Sequence, residues 1–212
     1  MKLTLVIGNK NYSSWSLRPW LVLKQTGIPF KEIKILIHQK NSIRNIEKYS
    51  KAGRVPILID GKTKVWESLA ICEYLAERFP KKNLWPKNPS DRAYARSISH
   101  EMHAGFQNLR SAMPMDARAF KPLVNIPENV RHDISRITEI WKECRKKSKS
   151  KGNFLFGVFS IADAMYAPVC FRFKTYGVQL DPISKSYQDH ILSLPVIQEW
   201  LGEAFKEPAL KP

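Results

Sequence analysis

The chain opens on an alternating, β-prone run at residues 2–7, so its first element reads as a strand. From residue 16 the spacing changes. Leu17, Trp20, Leu21 and Leu23 fall on one face of a helix that Gly27 ends, with Pro19 expected in the first turn, where a missing N–H costs little. Residues 30–37 predict a second strand, and residues 41–49 a short polar helix or loop. Residues 56–60 form a third strand, Asp60-Gly61 is a hairpin turn signal, and residues 63–66 are the returning strand. Residues 68–79 then carry a strongly amphipathic helical pattern.

The pattern changes character at residue 80. Residues 80–89 hold Pro80, Pro86 and Pro89 and little periodicity, which reads as a linker. Beyond it no run has strand character. Ser90-Asp91 caps a predicted helix reaching to about residue 118, Pro127 opens one to residue 148, Ser160 opens a third, and Pro195 starts a last helix ending near residue 206. The expected architecture is α/β followed by all-α: a thioredoxin-like βαβαββα domain at 1–79, a linker at 80–89 and an all-helical domain at 90–212.

Composition narrows the classes of function. At 212 residues and 43% hydrophobic content there is ample material for a core. The N-terminal apolar run is too short for a signal peptide, and no later stretch approaches the roughly 18 apolar residues of a membrane span, so cytoplasmic residence is expected and no membrane partner. Cys72, Cys144 and Cys170 are odd in number and far apart, which argues for reduced thiols and against a disulfide framework or zinc site. His100 and His103 lack a third ligand, so no metal is expected. The 35 Lys plus Arg against 19 Asp plus Glu leave a net +16, which suits an anionic substrate. The excess is diffuse, densest at residues 142–151 near a helix end, and without interleaved aromatics it argues against nucleic acid as a partner.

Three segments carry candidate chemistry: Asn11-Tyr12-Ser13-Ser14-Trp15-Ser16, Arg54-Val55-Pro56 and Glu67-Ser68. Val55, ahead of a proline, can offer its backbone to an extended peptide as an added strand would be held. Ser68, at a helix start, can hold a carboxylate with backbone N–H groups and its hydroxyl. Ser13 or Ser14, just before an apolar helix, can point a hydroxyl at a thiol, although on the local pattern alone either also reads as a plain N-cap. Together they outline a pocket for a small anionic peptide thiol.

The thioredoxin-like half, the proline-rich linker, the helical half and these motifs resemble the soluble glutathione transferases over essentially the whole chain. Ser13-Ser14-Trp15-Ser16-Leu17-Arg18 is similar to the serine-type branch near the zeta and tau classes, where a serine stands five residues before an arginine. That spacing matches Ser13 to the family's catalytic serine, with Ser14 as the alternative. The resemblance implies that glutathione is the co-substrate and that its thiol is activated for attack on an electrophilic, largely apolar second substrate. A free thiol of pKa about 8.5 is only about 3% thiolate at pH 7. Lowering that pKa by about two units needs roughly 2.7 kcal/mol, within reach of one charged hydrogen bond and a helix N-terminus. Relatives that exchange disulfides carry cysteine at this loop; here no cysteine precedes Cys72, which favours conjugation or isomerisation.

For the remaining segments, the resemblance implies a cis Val55–Pro56 bond, Ser68 on the γ-glutamyl carboxylate, Glu67 near the ammonium, and Arg54 on the glycine carboxylate together with Gln39 or Lys40. Ser160-Ile161-Ala162-Asp163 matches the family's buried capping signature, a folding element. The second substrate's pocket is expected between the halves, lined from Tyr12, Trp15, the stretch from His103 to Met115, and Tyr166. A homodimer and a detoxifying role are implied as well. Two other readings stand beside it: a maleylacetoacetate-type cis–trans isomerase, against which the zeta-type motif usually has cysteine where Trp15 stands, and a non-catalytic transferase-like interaction protein.

Overall fold

The computed structural model describes residues 3–37, 39–148 and 152–208. Strand β1 (Leu3–Ile7) lies parallel to β2 (Phe30–Lys34), with Leu3 opposite Phe30 and Ile7 opposite Lys34. It pairs antiparallel with β3 (Ile57–Asp60), which forms a hairpin with β4 (Thr63–Trp66), giving the order β2-β1-β3-β4. Both faces of β1 are covered: Leu5 and Ile7 join the main core, and Val6 packs with Ile46 and Ile57 under α2 (Ser42–Glu47). Helices α1 (Ser14–Gln25) and α3 (Ser68–Arg78) cover the first face. This is the mixed sheet with helices expected from the strand and helix periods.

Helix α1 begins two residues earlier than its apolar face suggests, because Ser13 caps it. Pro19 consequently lies inside the helix and not in its first turn, so the Trp15 carbonyl lacks the amide donor a non-proline residue would provide.

After a 3-10 turn at Pro80–Lys82 the chain is helical: α4 (Pro89–Ala104), α5 (Gln107–Ala112), α6 (Glu128–Ser148), α7 (Ile161–Thr175), α8 (Pro182–Ser193) and α9 (Pro195–Phe205). The single helix expected across residues 90–118 is two. It ends at Gly105, where a Cβ would stand 2.8 Å from the Glu101 carbonyl oxygen, and Phe106 then turns left-handed at φ 56°. Helix α8 was not anticipated, although Asp181 caps it through the Ile183 and Ser184 amides and Pro182 fills its first position.

Helix α7 is the axis of the helical half, buried along nearly its whole length. The Trp141 ring packs against Tyr166, Phe173 and Tyr187 at 6.0, 5.5 and 4.8 Å. Helix α1 lies on α7, and Trp20 meets Trp200 of α9 edge-on at 4.9 Å, so one continuous core joins the two halves. Ser160 and Asp163 form the expected capping box. Asp163 Oδ2 accepts the Ser160 N–H at 2.8 Å and its hydroxyl at 3.0 Å, while Oδ1 accepts the Leu155 N–H at 2.9 Å and the Tyr187 hydroxyl at 3.2 Å. Cys72, Cys144 and Cys170 are free and buried, and no described helix is long and apolar enough to cross a membrane.

Asp163→Ala strands the Leu155 and Ser160 amides and the Tyr187 hydroxyl in the interior, each worth about 1–3 kcal/mol. The expected loss in urea unfolding is at least about 3 kcal/mol; a loss under about 1 kcal/mol contradicts the assignment. Burial pushes the Asp163 carboxyl up to about 6 even though its four donors pull the other way. Against an unfolded value of about 3.9, its contribution to stability is full below about pH 4 and is lost as the pH rises through 6. Stability between pH 4 and 6 should therefore rise more steeply with pH in Asp163→Asn than in the wild type, and an identical slope would remove this linkage.

Candidate functional site

The loop between β1 and α1 is held by contacts distant in sequence. The Glu207 carboxylate accepts the Lys10 and Asn11 amides at 2.8 and 3.1 Å, and the Trp200 indole N–H bonds the Lys10 carbonyl at 2.7 Å. Asn11 donates its side-chain amide to Asp116 at 2.8 Å and accepts the Arg118 N–H at 3.0 Å. Its carbonyl accepts the Ala117 N–H at 3.1 Å. The segment after α5 and the end of the helical half thus fix where α1 begins.

The two candidate serines differ in their surroundings. Ser13 is the N-cap, its hydroxyl donating to the Ser16 hydroxyl at 2.7 Å and accepting the Ser16 N–H at 3.4 Å, while the Ser16 oxygen accepts the Gly8 N–H at 3.0 Å. Ser14 is the first helical residue, and its oxygen accepts from Arg172 Nη2 at 3.2 Å. A guanidinium only donates, so the Ser14 hydroxyl proton must point elsewhere. Both serines border a cavity of about 610 Å³ whose walls include Tyr12, Trp15, Val55, Arg110, Met115 and Arg172.

Around Trp15 stands a group of three guanidiniums, of which Arg110 feels the charge of Asp133. Arg18 is 2% exposed, lies 4.3 Å from the Trp15 ring centre and reaches the Ser68 hydroxyl at 3.5 Å, with its Nε unpaired. Arg110 lies 5.3 Å from the same ring centre and donates to the His103 carbonyl and the Gln107 side chain. Arg172 donates to the Met113 and Arg110 carbonyls as well as to Ser14. Among the described residues no carboxylate comes within 4.0 Å of any of the three. Burial, then repulsion from the neighbouring arginines, brings Arg18 down to about 9 and Arg172 down to about 10, so both stay charged at neutral pH.

A narrow cleft of about 110 Å³ also adjoins Trp15, bounded by Arg54, Val55, Pro56, Trp66 and Glu67. The Val55–Pro56 bond is cis, as the resemblance implies. Glu67 precedes α3 at φ 70° and ψ 126°, a region that non-glycine residues rarely adopt and that clusters at functional sites. Its carboxylate is exposed to the cleft and lies 3.8 Å from His103 Nε2. Burial and then Arg18 hold the His103 imidazole below its ordinary pKa, so at neutral pH this contact is not an ion pair.

Seven of the nine sequence-predicted site residues are brought together here: Ser13, Ser14, Arg54, Val55, Pro56, Glu67 and, beneath the surface, Ser68. Ser68 is fully buried, so its hydroxyl meets Arg18 and not the cleft. Gln39 and Lys40 are exposed, and Gln39 borders a separate hollow against β2. Tyr166, expected in the cavity wall, is buried with its hydroxyl on the Ile98 carbonyl. Sequence reasoning missed Arg110, Arg172 and Glu207. Their signal is spatial: each lies more than 90 positions from the loop it serves, Arg110 and Arg172 on helices and Glu207 just past the last one.

Two family models match: one described as the N-terminal domain of glutathione S-transferase over residues 9–83, and one described as its C-terminal domain over residues 127–203. A probable maleylacetoacetate isomerase of Caenorhabditis elegans is 37% identical over 99 residues, which are 46% of this chain and 45% of that protein, so the match spans under half of either. Mouse glutathione S-transferase omega-2 is 23% identical over 209 residues, 96% of this chain and 76% of that protein. A solved glutathione transferase homologue from Burkholderia, with bound glutathione, superposes with a TM-score of 0.73 at 21% identity, covering 98% of this chain and all of that one, which shows the shared fold. With both halves matched in order around a serine-bearing loop, the chain belongs to the glutathione S-transferase family.

Proposed function

We propose that the chain is a glutathione transferase in which the Ser14 hydroxyl donates a hydrogen bond to the sulfur of glutathione and so favours the thiolate, whose proton is released to solvent. The observation that carries this reading is the Arg172–Ser14 contact. With its oxygen committed to a buried cation, the Ser14 hydroxyl is left as a donor on the wall of a cavity between the halves. The hydroxyl of Ser13 is engaged within the cap, which supports a structural part for it. In this reading the tripeptide lies along the cleft with its backbone against Val55, its ammonium near Glu67 and its glycine carboxylate near Arg54. The amides that open α3 take the γ-glutamyl carboxylate, with Arg18 beneath Ser68 adding positive field. Gln39 and Lys40 drop out of this arrangement because they lie away from the cleft.

The thiolate then attacks an electrophile held in the larger cavity beside Trp15, Met115 and Tyr176. No side chain of this protein becomes covalently bound. The worm relative's name favours a second reading, glutathione-dependent cis–trans isomerisation, in which the same thiolate adds to a double bond and leaves again. A cytoplasmic homodimer is the setting proposed for either chemistry, and light scattering on the purified chain tests the dimer.

Retention on immobilised glutathione and conjugation of 1-chloro-2,4-dinitrobenzene test the first reading. Ser14→Ala should lower kcat/KM by about 10- to 100-fold, the worth of one hydrogen bond to a charged acceptor. Ser13→Ala should chiefly lower stability, by about 1 kcal/mol, as loss of a helix cap does. Full turnover in Ser14→Ala and in the double variant would reject activation by a hydroxyl.

A further inference from the structure

The charges around the site exceed what glutathione alone requires. The tripeptide brings two carboxylates, one thiolate and one ammonium. In the proposed arrangement Glu67 answers the ammonium; Arg54 and the amides opening α3, with Arg18 beneath Ser68, answer the carboxylates; Arg172 stands behind the thiolate through Ser14. Arg110 remains. Of the ionisable side chains on the cavity wall, Arg54, Arg110, Lys121 and Arg172 are cationic, and Asp116 is the only acid among the described residues. Asp116 is already paired, with Lys121 at 2.8 Å and the Asn11 amide at 2.8 Å. The contacts of Arg110 are to neutral oxygens and the Trp15 ring, and burial lowers its pKa. Asp133 is the acid whose charge acts on Arg110, but it forms no ion pair with it and is not on the cavity wall. A half-buried cation beside two further buried arginines, offset only in this way, is costly to the empty protein.

We propose that Arg110, which lines the same cavity as Ser14 and lies next to Trp15, is a carboxylate-binding residue for the second substrate, so that the preferred electrophile is an organic acid. The inference deepens the glutathione reading and rests on it. The planar guanidinium takes a carboxylate in two parallel hydrogen bonds, and the Trp15 ring keeps the guanidinium from swinging toward solvent. The apolar walls supplied by Met115 and Pro114 receive the rest of the molecule.

A matched pair of probes isolates the carboxylate: 4-chloro-3-nitrobenzoate and its methyl ester. With either, sulfur bonds to the ring carbon that bears chlorine, and the carbon–chlorine bond breaks with its electron pair leaving as chloride. The wild-type kcat/KM ratio of acid to ester, divided by the same ratio for the uncatalysed reaction, should exceed about tenfold. It should fall to near one in Arg110→Met and stay partly raised in Arg110→Lys. A ratio near one in the wild type, or one unmoved by Arg110→Met, overturns the proposal while leaving conjugation of the ester, and with it the glutathione reading, intact. Quenching of tryptophan emission by each probe without glutathione gives a second readout, independent of turnover. Tighter binding of the acid, lost in Arg110→Met, supports the subsite even if glutathione is not bound; equal binding of acid and ester overturns it.

Discussion

Arg172 is a positive charge on a helix of the second half, buried with no carboxylate within 4.0 Å among the described residues, and it is stabilised by two carbonyls and the oxygen of Ser14. That constraint orders the site. A guanidinium cannot accept a hydrogen bond, so the serine it touches is turned into a donor. Because α1 and α7 pack directly on each other, the serine and the arginine are brought together by the same core that joins the sheet to the helices. The Asp163 network anchors the first turn of α7, and the Glu207 carboxylate anchors the loop before α1. Each end of the contact is therefore fixed by buried polar groups that are expensive to break.

Electrostatics follow from the same packing. Arg18, Arg110 and Arg172 come from three helices; Arg110 and Arg172 lower the proton affinity of Arg18, and Arg110 that of Arg172, around Trp15. Repulsion of this kind is tolerated where an anion is to be bound, since the cost carried by the empty site is recovered when the charge is neutralised. Trp15, Arg54 and Val55 border both the narrow cleft and the larger cavity, so in the proposed arrangement the peptide and the electrophile meet along these shared residues.

Much of this was legible in the chain itself, for definite reasons. The strands, the hairpin and α3 follow from period and turn residues because each is decided within a few positions: Asp60-Gly61 turns, and Ser68 opens a helix. The Ser160–Asp163 capping box is equally local. What stayed hidden is of two kinds, short local signals and contacts made across the fold. The break at Gly105 needs the approach of the Glu101 carbonyl, the helix after Pro182 went unread despite its Asp181 cap, and the burial of Ser68 under Glu67 reflects Arg18 lying beneath it. A serine pair such as Ser13-Ser14 gives two hydroxyls, and only the packing of Arg172 tells them apart.

The central claim is that a cation from the helical half acts through Ser14 on the sulfur of a bound peptide. Its most direct test is the ultraviolet thiolate titration of glutathione bound to the wild type and to Arg172→Met, with Arg172→Lys as the charge-preserving control. The account predicts a bound thiol well below the free value of about 8.5, returning toward that value in Arg172→Met and only partly in Arg172→Lys. A bound thiol that titrates as it does free in solution, or one whose lowered value is indifferent to Arg172, would contradict it.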